Sequence, residues 1–389
     1  MWYFLWNRVN CSYFPWKAAG ALLAVVLLGT SCAVNRKISG SPPLSQVVLK
    51  LEPGQDNPRN SEGSFVTLKD GRILFVYSRY TGKNAGDHAP AYLAGRYSSD
   101  GGKTWSGRDE VIVTQEGNMN VMSVSLLRLR NGTIALFYLR KNSAVDCIPV
   151  VRFSTDEAKT WTTPVDCITD QKGYFVLNND RVIQLKDGRL MMAVARHSRP
   201  SDAKWRETGA LFAYYSDDNG KTWVPGKQVN TPAGIITQEP GLVALKRGRI
   251  MMYIRASGGT QYVSYSNDRG ATWSTATSYN LKSPLSPATI ERIPSSGDLL
   301  AIWNNNDGSI PAIKGRRTPL TVAISRNEGR SWEKITGIET DTDGWYCYTA
   351  IHFYKKSVLL SYCAGSQKAG THLSVTDISR FDLKDLYKR

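Results

Sequence analysis

The chain has 389 residues, a formal net charge of +16 and an aromatic content of 10%, with 33 glycines. Its lysines and arginines are dispersed rather than gathered into stripes with stacking aromatics, which argues against nucleic acid as a partner and leaves acidic ligands open. The 4 histidines are scattered and no Cys/His spacing fits a metal site, so no metal is expected.

Residues 1–32 read as a targeting segment outside the fold. Arg8 and Lys17 precede an apolar run over 18–28, too short to span a bilayer comfortably, and Gly29, Thr30 and Ser31 lead into Cys32. The pattern resembles a bacterial lipoprotein leader with Cys32 as the lipidated first residue of the mature chain. An ordinary signal peptide or an uncleaved anchor fits the same run. Each reading exports the body, to the periplasm or to a membrane through a lipid anchor at Cys32, and Arg36 and Lys37 favour the periplasmic face. A linker over 33–43 follows. The alternation of LSQVVLKLE over 44–52 then predicts a strand that closes the last repeat of the fold.

From there one phrase, Ser-x-Asp-x-Gly-x-Thr-Trp, recurs five times, at 98–105, 154–161, 216–223, 266–273 and 325–332. Its Trp residues lie 50 to 62 positions apart, the length of a four-stranded sheet with its loops. Hairpin turns of the Lys-Asp-Gly-Arg type at 69–72, 130–133, 186–189, 246–249 and 296–298 precede apolar runs such as ILFVYS. Together these predict six repeats over 54–115, 116–172, 173–233, 234–283, 284–342 and 343–381. Helical periodicity is hard to find after the leader, so the fold expected over 44–389 is an all-β, six-bladed propeller. Ala158 replaces the Gly of the second box and Asn327 the Asp of the fifth. Such wear marks structural turns rather than catalytic groups. Cys147, Cys167, Cys347 and Cys363 fall in pairs within the second and last repeats, and bridge neighbouring strands or stay as buried thiols.

A propeller gathers equivalent loops at its axis, where charged residues beside the innermost strands carry the chemistry. Those positions yield Arg59, Asp87, Glu239, Arg255, Arg317 and Tyr348. In these residues the chain resembles the exo-α-sialidases of the bacterial neuraminidase type, whose six-bladed propellers carry Asp boxes. QEPGLVALKRGRIMMYIR places Glu239 sixteen residues before Arg255, RTPLTVAIS places Arg317 eight before its box, YTAI begins at Tyr348, and Asp87 lies eleven residues before Ser98. The resemblance implies that Arg59, Arg255 and Arg317 clamp the carboxylate of a sialic acid. It further implies that Tyr348 is the nucleophile paired with Glu239 and Asp87 the general acid, with retention of configuration and no cofactor. The partners implied are sialylated glycans or glycolipids, met by a monomer.

The first repeat departs from that pattern. Pro58-Arg59-Asn60-Ser61-Glu62-Gly63 stands where the family carries Arg-Ile-Pro, and Glu62 brings an unexpected carboxylate beside Arg59. Glu62 is either a salt-bridge partner or the mark of a different acidic sugar. Arg79 is the alternative first arginine, and Arg181 and Arg196 are further basic candidates for the axis. A glycosidase for another sugar and a glycan-binding lipoprotein without catalysis remain as rival readings.

Overall fold

A computed structural model describes residues 43–389 except Ala203; the leader, Cys32 and most of the linker lie outside the described residues. The described chain is built almost wholly of strands, with two short 3₁₀ turns and a final helix, Leu383–Lys388. Its strands form four sheets of four strands and one of nine. The nine-stranded sheet holds two antiparallel groups joined through Tyr174–Val176, which pairs with Leu190–Ser198 on one side and Asp146–Ser154 on the other. Six antiparallel groups therefore follow one another in the order of the repeats, the last running to Asp382. The strand Gln46–Leu51 pairs with Thr376–Asp382 and completes the sixth group, as its alternation implies.

Burial explains why the alternation expected of strands is visible only at the rim. Every residue of Leu190–Ser198 is buried, and Ile73–Tyr80 is buried at all but one position, because the middle strands of each group meet a neighbouring group on both faces. The outer strand Thr277–Lys282 alternates exposed and buried instead. The core is accordingly divided among interfaces: one cluster joins Phe137 and Val151 of the second group to Val194 and Phe212 of the third, and another joins Phe65 and Phe75 of the first to Leu359 and Ile378 of the sixth.

The repeated phrase locks these interfaces. In the first box the Asp100 carboxylate accepts from Thr104 N and Oγ1 at 2.9 and 2.7 Å and from Ser98 Oγ at 2.9 Å, while Gly102 N donates to Ser98 Oγ at 2.8 Å. The fifth box keeps the geometry with a neutral amide: Asn327 Oδ1 accepts from Ser331 N at 2.9 Å. The turn thus needs an acceptor rather than a charge. Trp223 reaches the preceding group, meeting the Phe137 ring edge-on at 5.8 Å, while Trp105 packs on Phe65 and Phe75 of its own group at 6.0 and 6.2 Å.

In the third box the glycine is favoured twice over, although the second box holds Ala158 in the same left-handed conformation. Gly220 has φ of 89°, and a Cβ there would lie 2.9 Å from the Phe153 ring of the preceding group. We expect Gly220→Ala to cost about 1–3 kcal/mol through left-handed strain and overpacking, read as a lower urea midpoint at unchanged slope.

Candidate active site

The innermost strands carry the same irregularity at the same step. In Asn60–Thr67, Asn120–Arg128, Thr237–Ala244 and Gly344–Tyr354 the register slips so that two residues oppose one, between Ser61 and Ser64, Met122 and Ser125, Gln238 and Gly241, and Cys347 and Ala350. The first residue of each bulge is left-handed: Glu62 at φ 58°, Ser123 at 60°, Glu239 at 44° and Tyr348 at 56°. Non-glycine residues take this conformation at a cost, and bulges beside sites re-aim side chains. Here they bring Glu239 to Tyr348 and Glu62 to Ser123, across different groups.

Tyr348 donates its hydroxyl to Glu239 Oε1 at 3.2 Å. Arg255 Nη1 donates to the same oxygen at 2.5 Å, and Asn178 Nδ2 to Oε2 at 3.3 Å. Burial alone would raise the Glu239 carboxyl, but Arg255 and Arg317 outweigh it and hold the group below its usual value. Burial and the Glu239 charge push the Tyr348 phenol well above its own. The pair is therefore a neutral hydroxyl bonded to an ionised carboxylate. Arg317 lies over the rings of Trp345 and Tyr348 at 5.1 and 5.5 Å. Its Nη1 and the Nε of Arg255 are buried without a hydrogen-bond partner, so two guanidinium donors beside the pair are unpaired.

The first repeat is arranged differently. Arg59 is buried and stacks on Tyr80 at 4.5 Å. Its Nε donates to Ser61 at 2.9 Å, Nη1 to Asp87 at 2.5 Å and to Ala85 O at 3.3 Å, and Nη2 to Glu62 at 2.8 Å. Asp87 sits on the loop between Ile73–Tyr80 and Ala91–Ser98 with its side chain 60% exposed. Its carbonyl is fixed by Asn120 Nδ2 at 2.9 Å and Lys141 Nζ at 2.6 Å. Arg79, the alternative to Arg59, is not brought there: its guanidinium is engaged by Asp109 at 2.8 Å. Arg181 is buried against Tyr253, donating to its hydroxyl at 2.6 Å, and Arg196 donates to Gln171. Cys347 directly opposes Cys363 across two strands, and all four cysteines of the described chain are buried free thiols. Among the described residues no group of three His, Cys, Asp or Glu is placed to hold a metal.

The segment 178–181 is a hub that residue-by-residue inspection of the sequence passes over, apart from Arg181. Asn178 reaches Glu239. Asn179 Nδ2 donates to the carbonyls of Gly63 at 2.8 Å and Tyr348 at 3.0 Å. Asp180 accepts from Ser64 Oγ at 2.7 Å and Ile351 N at 2.9 Å, and its N–H donates to Val124 O at 2.9 Å. Its carboxyl is also hydrogen-bonded to Glu291, and burial pushes both groups up. The only signal in the sequence is a polar run, NND, and it resembles the polar starts of other innermost strands, such as NSEGS at 60–64 and TQE at 237–239.

A propeller with a Tyr–Glu pair between arginines has relatives. The chain matches the BNR repeat-like domain across residues 96–360, and it belongs to that family. It is 27% identical over 273 residues to a sialidase of Paraclostridium sordellii, covering 62% of this chain and 63% of that protein, so it spans less than two thirds of its relative's length. A protein of unknown function from Dyadobacter fermentans superposes with a TM-score of 0.69 at 19% identity, over 87% of this chain and 100% of that one. The Hadza microbial sialidase Hz136 superposes with a TM-score of 0.67 at 17% identity, over 84% and 66%. These likenesses establish the β-propeller fold.

Asn179 is the residue through which the hub fixes the backbone of Tyr348. Asn179→Ala leaves two buried carbonyls unpaired, and we expect a loss of about 1–3 kcal/mol in denaturant unfolding with Tyr348 displaced.

Proposed function

We propose that the chain is an exo-α-sialidase, releasing terminal α-linked sialic acids from glycans or glycolipids. The observation that carries this reading is the Tyr348–Glu239 hydrogen bond at 3.2 Å, set between two arginines with unpaired donors. The sialidase of P. sordellii and the Hadza enzyme support it by similarity.

The chemistry follows from charge. A sialic acid carries its carboxylate on the anomeric carbon, so Arg255 and Arg317 hold it and orient the ring. A carboxylate nucleophile is repelled by that group, whereas the Tyr348 hydroxyl is neutral until it reacts. As its oxygen bonds to the anomeric carbon, Glu239 takes the phenolic proton, the glycosidic C–O bond breaks, and the departing oxygen takes a proton from Asp87. Asp87 then removes a proton from water, which attacks the same carbon and breaks its bond to Tyr348, whose oxygen takes back the proton from Glu239, with overall retention. The Glu62 carboxylate on Arg59 favours a second reading, the same chemistry on another acidic sugar.

The test is release of 4-methylumbelliferone from its α-sialoside. The parent is expected to turn over, Tyr348→Phe to lose activity, and Asp87→Asn to slow by about 10²–10⁴-fold. Absence of turnover by the parent, with activity on a different acidic glycoside, establishes the second reading in place of the first.

A further inference from the structure

We infer that Arg59 and Glu62 serve the acid rather than the substrate: Glu62 is a positioning residue that divides the Arg59 guanidinium with Asp87 and so governs the proton Asp87 delivers. The inference rests on the hydrolase reading above and assigns Arg59 away from the carboxylate clamp.

The geometry is a three-membered charge cluster with unequal access. Asp87 takes one prong of the guanidinium and Glu62 the other, at 2.5 and 2.8 Å, while Ser61 and the Ala85 carbonyl take further hydrogens. Little of Arg59 is left for a ligand, in contrast to the unpaired donors of Arg255 and Arg317. Side-chain exposure is 2% for Arg59 and 5% for Glu62 but 60% for Asp87, so only Asp87 faces incoming substrate. Glu62 cannot swing away, because its Oε2 accepts from Ser123 Oγ and its backbone is held in the left-handed bulge.

One cation between two carboxylates makes them competitors. Arg59 outweighs burial at Asp87 and keeps that carboxyl below its usual value, with Lys141 and His88 adding to the pull. Burial pushes Glu62 up against Arg59, and the charges of Asp87 and Glu239 add to the rise, while the Ser123 bond opposes it. Tyr80 lies under the same guanidinium and Cys363 beside it. While Glu62 is ionised it weakens the grip of Arg59 on Asp87, so the Asp87 carboxyl, still below its usual value, lies higher than Arg59 alone would hold it, which favours proton transfer to the glycosidic oxygen as the C–O bond breaks. The carboxylate that results is stabilised by Arg59 until it recovers a proton from water.

Glu62→Gln keeps the shape and the acceptor toward Arg59 but removes the competing charge. Asp87 then loses its proton more easily, and the alkaline limb of the pH–kcat profile moves down by about 1 pH unit with KM little changed. Ser123→Ala moves the limb the same way by less. A rate loss with the limb in place gives Glu62 a structural role only, and a raised KM with the limb in place returns Arg59 to the clamp; either overturns the inference. The carboxyl carbon of Asp87, followed by NMR in the whole protein with ¹³C-labelled aspartate and assigned through Asp87→Asn, needs no substrate. Its midpoint must fall in Glu62→Gln even if the sialoside is not turned over, which separates failure of this inference from failure of the sialidase reading.

Discussion

Asn178, Asn179, Asp180 and Arg181 form the polar junction on which the rest of this propeller depends. Four consecutive residues of the third group hydrogen-bond to the first group through Gly63 and Ser64, the second through Val124 and Ser125, the fourth through Glu239 and Tyr253, and the sixth through Tyr348 and Ile351. Glu291 of the fifth completes the set. A ring of sheets leaves its centre lined by strand ends whose backbone groups need partners, and unmet buried groups cost about 1–3 kcal/mol each. The junction meets them and, by the same bonds, sets the positions of the two residues proposed to react.

The left-handed bulges are the complementary device. A non-glycine residue at positive φ costs on the order of 1–2 kcal/mol, and four innermost strands accept that cost at the same step. At Glu239 it is offset by the short bond from Arg255, since hydrogen bonds to charged groups contribute about 1.5–3 kcal/mol. At Glu62 the partners are Arg59 and Ser123. The repeat that stacks the sheets thus also supplies a recurring place for a side chain aimed at the axis, filled by Tyr, Glu or Ser according to the group.

Much of this was legible in the sequence because it is local. The boxes, their Trp spacing and the closing strand 44–52 are short-range patterns tied to turn geometry and alternation, and they gave the groups and their order. Glu239 and Arg255 lie on adjacent strands of one hairpin, where Gln238 pairs with Arg255, so a family spacing could carry them. What escaped is long-range. Asn179 meets Tyr348 169 residues away, and nothing in NNDR distinguishes a hub from a polar turn. Arg59 reads as a clamp until its partners are placed, because Asp87 reaches it over a loop and Glu62 through a bulge that no propensity announces. Arg79, on the neighbouring strand, is held by Asp109 instead.

The central claim is that Tyr348, held by the hub and paired with Glu239, is the group that attacks. The most direct test is intact mass and peptide mapping after incubation with 2,3-difluorosialic acid, whose departing fluoride leaves a slowly hydrolysed sugar on the nucleophile. We expect one adduct per chain, on the peptide containing Tyr348 and absent from Tyr348→Phe. An adduct on Glu239 or Glu62 instead, or hydrolysis of the sialoside by Tyr348→Phe at the parent's rate, would contradict the account.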